Sequence, residues 1–384
     1  MNPRLKGIPT YPQVRLDAAK ERARAAGKTL HDFGTGDPLE PTPPFIRDAV
    51  RAAISEISQY PSAFGSAELR EAAAAYLERV FGVQVDPDRE VLATSGSKEA
   101  IFHFPLALLD PNGHRRGVIF GEPGYPVYAS GAILAGGVPV AIPLVRESGY
   151  LLEPETLDRQ VIEGARILWL NYPHNPTGTV APRWYVDRIV RFARAHDLVV
   201  CADECYAEFG GTERATSVLE IEREGVLAFH SLSKRSGMTG YRSGFVAGDP
   251  ALIAAYRRVR PLIGTGSPDF VQRAAALAWA DDAHVAERRR AFEAKRAVLR
   301  SFFDSAGLRT SGEGALYLWV EVPAGRTSEA WAESLVEVGI VVAPGSYFGA
   351  SGEGYVRVAL VPTVAECHAA VRAWRAALPG GAVQ

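Results

Sequence analysis

The chain has 384 residues, of which 47% are hydrophobic and 22% are charged, and its formal net charge is −2. This composition is typical of a globular protein with one large and one smaller domain, and the near-neutral charge favours neither nucleic acid nor an anionic membrane as a partner. No apolar run approaches the roughly 18 residues of a membrane-spanning helix. Residues 1–6 are not followed by the apolar stretch of a signal peptide, and three cysteines are too few for a disulfide framework. We therefore expect a cytoplasmic protein.

Short apolar segments alternate with helical ones through the first two thirds of the chain. Segment 182–196, for example, places its apolar residues at helical spacing. Such alternation predicts an α/β fold with a mainly parallel sheet covered by helices on both faces. The predicted strands are 90–93, 118–120, 138–143, 165–171, 198–202, 226–230 and 243–247.

The pattern changes near residue 266, first to long helices and then to a second set of strands and helices. This later set predicts a smaller α+β domain. Four prolines between residues 38 and 44 interrupt regular structure, which is typical of a segment that crosses between domains. We therefore expect the N-terminal segment to pack with that smaller domain. The predicted large domain is 45–270, and the predicted small domain combines 1–44 with 271–384.

Lys234 lies between hydroxyl and guanidinium groups. A buried lysine amine can form a Schiff base with an aldehyde, and Ser231, Ser233 and Arg242 could hold a phosphate carried by that aldehyde. The combination suggests a site for pyridoxal phosphate (PLP). A solvated serine- and lysine-rich loop is the plainer explanation of the segment taken alone.

Other polar residues follow predicted strands. Ser97 and Lys98 open an apolar helix, whose first N–H groups can bind an anion. The ring of Tyr125 can stack on a planar cofactor, and Asn175 in a proline-flanked turn offers an amide. A capped helix start, ordinary packing and a polar turn are the respective alternatives.

Asp203 ends a buried strand, where an acid needs a partner. A protonated pyridine nitrogen would serve, and Tyr206 could donate to a phenolate oxygen, whereas a structural salt bridge is the alternative. Cys201 and Cys205 flank Asp203 and Glu204 with no second cysteine or histidine pair nearby, so we predict no metal site. Since ligands bind at the carboxyl ends of strands in open α/β sheets, the joint order of these residues is far more specific than any one of them.

With these motifs the chain resembles class I/II aminotransferases of PLP fold type I over nearly its whole length. The motifs that carry the resemblance are Gly34-Thr35-Gly36-Asp37-Pro38, Tyr60-Pro61, Asn175-Pro176-Thr177-Gly178, the serine pair before Lys234, Pro344-Gly345 and Arg357.

The resemblance implies PLP as the cofactor and a homodimer with shared active sites. It assigns Lys234 as the Schiff-base lysine, Asp203 to the pyridine nitrogen, Asn175 and Tyr206 to the ring oxygen, Tyr125 to stacking, Ser97, Lys98, Ser231, Ser233 and Arg242 to the phosphate, Tyr60 to the neighbouring subunit's phosphate, and Arg357 with the backbone at Gly36 to the substrate α-carboxylate.

A narrower resemblance links several runs, among them 231–235, 242–249 and 356–361, to bacterial N-succinyldiaminopimelate aminotransferases. It predicts amino-group exchange between glutamate/2-oxoglutarate and N-succinyl-LL-diaminopimelate. The alternatives are aminotransferases for aspartate, 2-aminoadipate, LL-diaminopimelate or aromatic amino acids, a PLP-dependent C–S lyase, and a non-enzymatic PLP-binding regulator. The partner of any distal carboxylate stays open among Lys98, Arg235, Arg260 and Arg326.

Overall fold

The computed structural model describes residues 2–8, 12–211 and 214–377. Within these residues the helices are α1 (Pro12–Ala25), α2 (Pro44–Ala53), α3 (Ala67–Phe81), α4 (Ser97–Leu108), α5 (Val127–Leu134), α6 (Arg159–Glu163), α7 (Arg183–Ala195), α8 (Leu232–Arg235), α9 (Pro250–Ile263), α10 (Asp269–Ala280), α11 (Ala283–Ser305), α12 (Ser328–Val336) and α13 (Val364–Ala377). The strands are β1 (His31–Asp32), β2 (Val91–Thr94), β3 (Gly117–Glu122), β4 (Val138–Pro143), β5 (Ala165–Leu170), β6 (Val199–Asp203), β7 (Val226–Ser231), β8 (Gly244–Gly248), β9 (Thr310–Ser311), β10 (Tyr317–Glu321), β11 (Ile340–Val341), β12 (Ala343–Pro344) and β13 (Tyr355–Ala359). None of these described helices is both long and apolar enough to cross a membrane.

A seven-stranded sheet organises the larger part of the chain, in the order β2-β8-β7-β6-β5-β3-β4. Strand β8 runs antiparallel to both of its neighbours, and the remaining pairs are parallel. The α/β fold with a mainly parallel sheet is confirmed, and each predicted strand overlaps an observed one. This topology brings the carboxyl ends of β2, β3, β5, β6 and β7 to one edge, together with the start of β8.

Both faces of this sheet are buried, as the continuous apolar runs of its strands predict. In β5, Leu168 and Leu170 belong to one hydrophobic cluster, while Ile167 and Trp169 belong to the cluster on the other face. Helices cover the two layers, so each strand is held from both sides and its end is fixed in position.

A second, smaller sheet is antiparallel and has the order β12-β13-β10-β9, and β1 pairs with β11 in parallel. Phe33, which follows β1, lies in the same hydrophobic cluster as these strands and α11. The N-terminal segment therefore contributes to the core of the smaller unit. By contrast, α10 packs on α2 and α3, which favours a domain boundary between α10 and α11. We propose that boundary, near residues 281–282, in place of the predicted one at 270.

Gly178 lies where the large sheet meets the smaller one, and we expect its replacement by alanine to destabilise the fold. Its φ is +68°, and an added Cβ would lie 2.5 Å from Gly312 Cα and 2.9 Å from the carbonyl oxygen of Tyr317. Left-handed strain and overpacking together cost about 3 kcal/mol. Urea denaturation measures this loss. Gly82→Ala is the matched control, because Gly82 has φ +70° but open space around its Cβ, so only about 1 kcal/mol is expected.

Candidate active site

A cavity of about 350 Å³ opens at the carboxyl edge of the large sheet, beside β10 and β13 of the smaller one. Every site residue predicted from the sequence lines it except Tyr60. The lining residues are Thr35, Gly36, Asp37, Ser97, Lys98, Tyr125, Asn175, Asp203, Cys205, Tyr206, Ser231, Ser233, Lys234, Thr239, Arg242, Tyr317 and Arg357.

Lys234 projects into this cavity from α8, the short helix that follows β7. Its ammonium group donates to the carbonyl oxygen of Gly36, which belongs to the loop after β1. Burial is the largest of the causes that together lower the pKa of Lys234 to about 8. The nearby guanidinium groups of Arg357 and Arg242 act in the same direction, and Asp37 opposes them. A lysine of this kind has a substantial neutral fraction near neutral pH and can act as a nucleophile or a base.

Asp203 is the last residue of β6 and is buried. Its carboxylate accepts hydrogen bonds from the hydroxyl of Tyr128 at 3.0 Å and from the backbone N–H of Cys205 at 3.4 Å. Burial raises its pKa, and these hydrogen bonds oppose that change. Among the described residues no arginine, lysine or histidine forms an ion pair with Asp203, so the structural salt bridge considered as its alternative is not found there.

An anion site is built where α4 begins. Gly96 precedes the first turn of α4, and Ser97 and Lys98 present their N–H groups at its N-terminal end. Arg242 lies across Gly96: its guanidinium donates to the carbonyl oxygen of Ser95 at 3.1 Å, and a Cβ on Gly96 would lie 2.6 Å from Nη2.

Arg242 has φ +57°, a left-handed conformation that is costly for a residue with a side chain. Facing it are Ser231 and Ser233, whose hydroxyl groups are 3.0 Å apart. Hydroxyl groups, a guanidinium and helix N–H groups converging on one space are suited to a phosphate.

Arg357 occupies the opposite wall, on β13. Its guanidinium donates to Asn175 Oδ1 at 2.9 Å and to the carbonyl oxygen of Gly34 at 2.7 Å, and it stacks on Tyr317 at 4.4 Å from the ring centroid. A flat guanidinium held in this way can bind a carboxylate through two parallel hydrogen bonds. Gly36 borders the same space, because a Cβ there would lie 2.5 Å from the hydroxyl of Tyr317.

Two tyrosines of the site were missed by reasoning from the sequence. Tyr317 shares a hydrogen bond of 2.7 Å with the hydroxyl of Tyr206, and Tyr128 holds Asp203. Tyr317 begins β10 inside an apolar run, a pattern that by itself indicates only a strand. The one available signal was its hydroxyl group in a buried strand, which needs a partner.

Tyr60 is fully exposed and does not line the cavity. Of the four candidates for a distal carboxylate, Lys98 alone lines the cavity. Arg235 is buried against Glu208 and Asp282, and Arg260 is paired with Glu99. Arg326 donates to Ser334 at the surface.

The residues present fit PLP. The cavity volume is within the usual range for a small ligand, about 300–1,000 Å³. It combines a buried amine with a lowered pKa, a buried carboxylate that no described cation pairs, and an anion cradle that a side chain at position 96 would fill.

Comparison with known proteins decides the family. The sequence model of the protein family described as "Aminotransferase class I and II" matches residues 28–373. The chain belongs to this family. As a class I/II aminotransferase of PLP fold type I, it is a PLP-dependent transaminase, and the predicted family, activity and cofactor are confirmed.

The individual relatives carry names that differ from the narrower prediction. LL-diaminopimelate aminotransferase of Aquifex aeolicus is 36% identical over 96% of this chain and 97% of its own, and that of Syntrophobacter fumaroxidans is 38% identical over 93% of both. A Thermus thermophilus structure described as "probable N-succinyldiaminopimelate aminotransferase" is 31% identical, with a TM-score of 0.89 over 96% of this chain and 100% of that one. These two relatives therefore bear the name LL-diaminopimelate aminotransferase, which was one of the alternatives, whereas the first prediction was an N-succinyldiaminopimelate aminotransferase.

The lowered pKa of Lys234 leads to a pH prediction for the aminotransferase. With Lys234 as the predicted lysine that bonds PLP, the rate of bonding in cofactor-free protein should rise about tenfold per pH unit below pH 8 and level off above it, since only the neutral amine attacks. Stopped-flow absorbance measures the rate. A free lysine amine with the ordinary pKa of 10.5 is the reference. A protein rate that keeps rising to pH 10 would contradict the lowered pKa.

Proposed function

We propose that this aminotransferase exchanges an amino group between glutamate/2-oxoglutarate and an amino acid of the diaminopimelate series, with LL-diaminopimelate as the first candidate. The observation that carries the proposal is the near full-length similarity to two curated LL-diaminopimelate aminotransferases. Asp37 on the cavity wall adds to it, because a carboxylate favours the distal ammonium group of LL-diaminopimelate.

N-Succinyl-LL-diaminopimelate is the second candidate. The Thermus thermophilus structure and the sequence runs described above favour it. In that substrate the distal nitrogen is acylated and a further carboxylate is added, so a cation such as Lys98 would matter more than Asp37.

In this proposal the chain's residues divide between cofactor and substrate. When bound, PLP supplies an aldehyde for the amino group and a ring that accepts electrons from the substrate α-carbon. Asp203 would keep the pyridine nitrogen protonated, Tyr125 would pack on the ring, and Asn175 and Tyr206 would hydrogen-bond the ring oxygen. The phosphate is held by Ser97, Lys98, Ser231, Ser233 and Arg242.

Lys234 would bond the cofactor aldehyde and, as the free amine, would move a proton at the substrate α-carbon. Its lowered pKa suits both tasks. Arg357, with the backbone at Gly36, binds the substrate α-carboxylate and so orients the α-hydrogen toward the lysine.

We also propose a cytoplasmic homodimer with shared sites. Tyr60 is fully exposed, and Ile54 and Ile57 of the same segment are 61% and 74% exposed. Apolar side chains exposed together are typical of an interaction surface. A second copy of the chain covering this surface would place Tyr60 near the other subunit's phosphate site.

The experiment is an absorbance titration of the PLP-loaded enzyme with single amino acids. Fast loss of the lysine-bound cofactor band with glutamate and LL-diaminopimelate is expected. Faster loss with the N-succinyl compound would move the assignment to the second candidate, and a response confined to aspartate, 2-aminoadipate or aromatic amino acids would replace the substrate.

Two further outcomes test the activity itself. Pyruvate released from cystathionine without a keto-acid acceptor would point to the C–S lyase. A protein that bound PLP but converted no amino acid of the panel would agree with a regulator, and a protein that did not bind PLP would overturn the proposal.

A further inference from the structure

The segment that follows Lys234 is held from outside the large sheet. Arg288 of α11 donates through Nε to the main-chain oxygen of Lys234 at 3.3 Å. One turn earlier on the same helix, His284 Nε2 lies 2.8 Å from the hydroxyl of Ser236. From the other side, the hydroxyl of Thr42 donates to the carbonyl oxygen of Gly237 at 2.6 Å. The position of Lys234 thus depends on α11 as well as on β7.

The contact with Arg288 gives a hydrogen-bond donor to a carbonyl group at the C-terminal end of helix α8. This helix has four residues, and the carbonyl groups of a helix's last turn have no partners within the helix. In a continuing α-helix the backbone N–H of Met238 would donate to the carbonyl oxygen of Lys234, but here it donates to that of Leu232 at 3.3 Å. A cationic side chain at a helix C-terminus supplies a hydrogen bond and a favourable charge there.

The guanidinium group also fits closely against the chain after α8. Gly237 has φ +63°, and a Cβ at that position would lie 2.8 Å from Arg288 Nη1. The glycine therefore both ends the helix and leaves the space that the guanidinium fills.

Keeping an arginine at this position is costly. Arg288 is only 5% exposed, and its Nη2 has no hydrogen-bond partner among the described residues. Glu40 acts on it electrostatically, but no ion pair joins the two, and Glu40 Oε2 is likewise without a described partner. An apolar side chain of similar length would pack against Phe292 without that cost. The hydrogen bond to the main-chain oxygen of Lys234 is the interaction that an apolar side chain could not make.

We propose that Arg288 is a positioning residue, which fixes the backbone of Lys234 so that its amine is placed for bonding the cofactor and for moving the substrate proton. This inference rests on the role proposed above for Lys234. It ties the reacting amine to α11, a helix of the smaller unit's core.

The test compares Arg288→Met with Arg290→Met, a control on an exposed face of the same helix. Two quantities are measured at a temperature where circular dichroism shows full folding: the rate at which PLP bonds to Lys234 in cofactor-free protein, and kcat and KM of the loaded enzyme. For Arg288→Met we expect both the bonding rate and kcat to fall by about tenfold or more, with KM within about twofold, since a small misplacement of a reacting group is costly. Arg290→Met should match the wild type.

Arg288→Lys keeps the charge but not the guanidinium geometry, and we expect an intermediate bonding rate. It also serves as the test variant if the methionine variant does not fold. Unchanged bonding rate and kcat in the folded Arg288 variant would overturn the inference and leave the role of Lys234 intact. Failure of the wild-type protein to bond PLP at Lys234 would instead overturn the proposed function and the inference with it.

Discussion

Replacing Lys234 with alanine is expected to abolish turnover. In the proposed function this lysine supplies both the bond to the cofactor and the proton transfer at the substrate α-carbon, and general acid–base catalysis alone contributes about 10²–10⁴-fold. We expect kcat to fall by at least about 10³-fold. Steady-state assays with glutamate and a keto acid measure the loss, and the absorbance spectrum should show that the lysine-bound cofactor band has disappeared.

Lys28→Ala is the control for this prediction. Lys28 pairs with Glu337 at the surface of the smaller unit and does not line the cavity, so its removal should leave turnover unchanged. The contacts proposed for Asp203 and Tyr125 with the cofactor ring do not depend on Lys234, so PLP should still bind to the alanine variant without a covalent bond. Normal turnover by that variant would show that another group carries the chemistry.

The sequence was enough to predict that these residues lie together, because they follow strand ends, and the structure places all of them except Tyr60 on one cavity. Asn175 and Asp203 come at or after the ends of apolar runs that clearly predict strands, and parallel strands bring their carboxyl ends to one edge of the sheet. Lys234 and Asn175 are nearly sixty positions apart in the sequence, and the topology of the sheet alone predicts that they lie close together. The motifs added the family, and with it the cofactor.

Contacts between distant elements were harder to foresee. Arg235 and Arg260 read as free cations in the sequence, whereas the fold pairs them with acids up to 161 residues away. Tyr317 reaches Tyr206 only because the smaller sheet lies against the larger one. Neither local propensity nor hydrophobic periodicity carries such information, because both describe short windows of chain.

The domain boundary proposed here depends on contacts of the same kind. Apolar residues of α10 and α11 are both at helical spacing, and only Asp281 and Asp282 separate the two helices. Which core each helix joins is decided by its long-range packing, so the predicted boundary rested on a change of pattern rather than on contacts.

Arg357→Lys is expected to lower kcat/KM for glutamate by about 10²-fold, mainly through a higher KM. Lysine keeps the positive charge but cannot present two parallel N–H groups to the α-carboxylate. The loss of one to two charge-assisted hydrogen bonds, at about 1.5–3 kcal/mol each, accounts for this factor. Arg326→Lys, at the surface, is the control and should change neither constant.

The division of the effect between KM and kcat distinguishes two roles for Arg357. The guanidinium group also donates to Asn175 Oδ1 and to the carbonyl oxygen of Gly34. If Arg357 mainly binds the α-carboxylate, the variant should lose the enzyme's preference for glutamate over 4-aminobutanoate, which is glutamate without its α-carboxylate. If kcat falls while KM and that preference are kept, Arg357 acts by placing Asn175 against the cofactor, and the α-carboxylate must be bound by another group of the cavity.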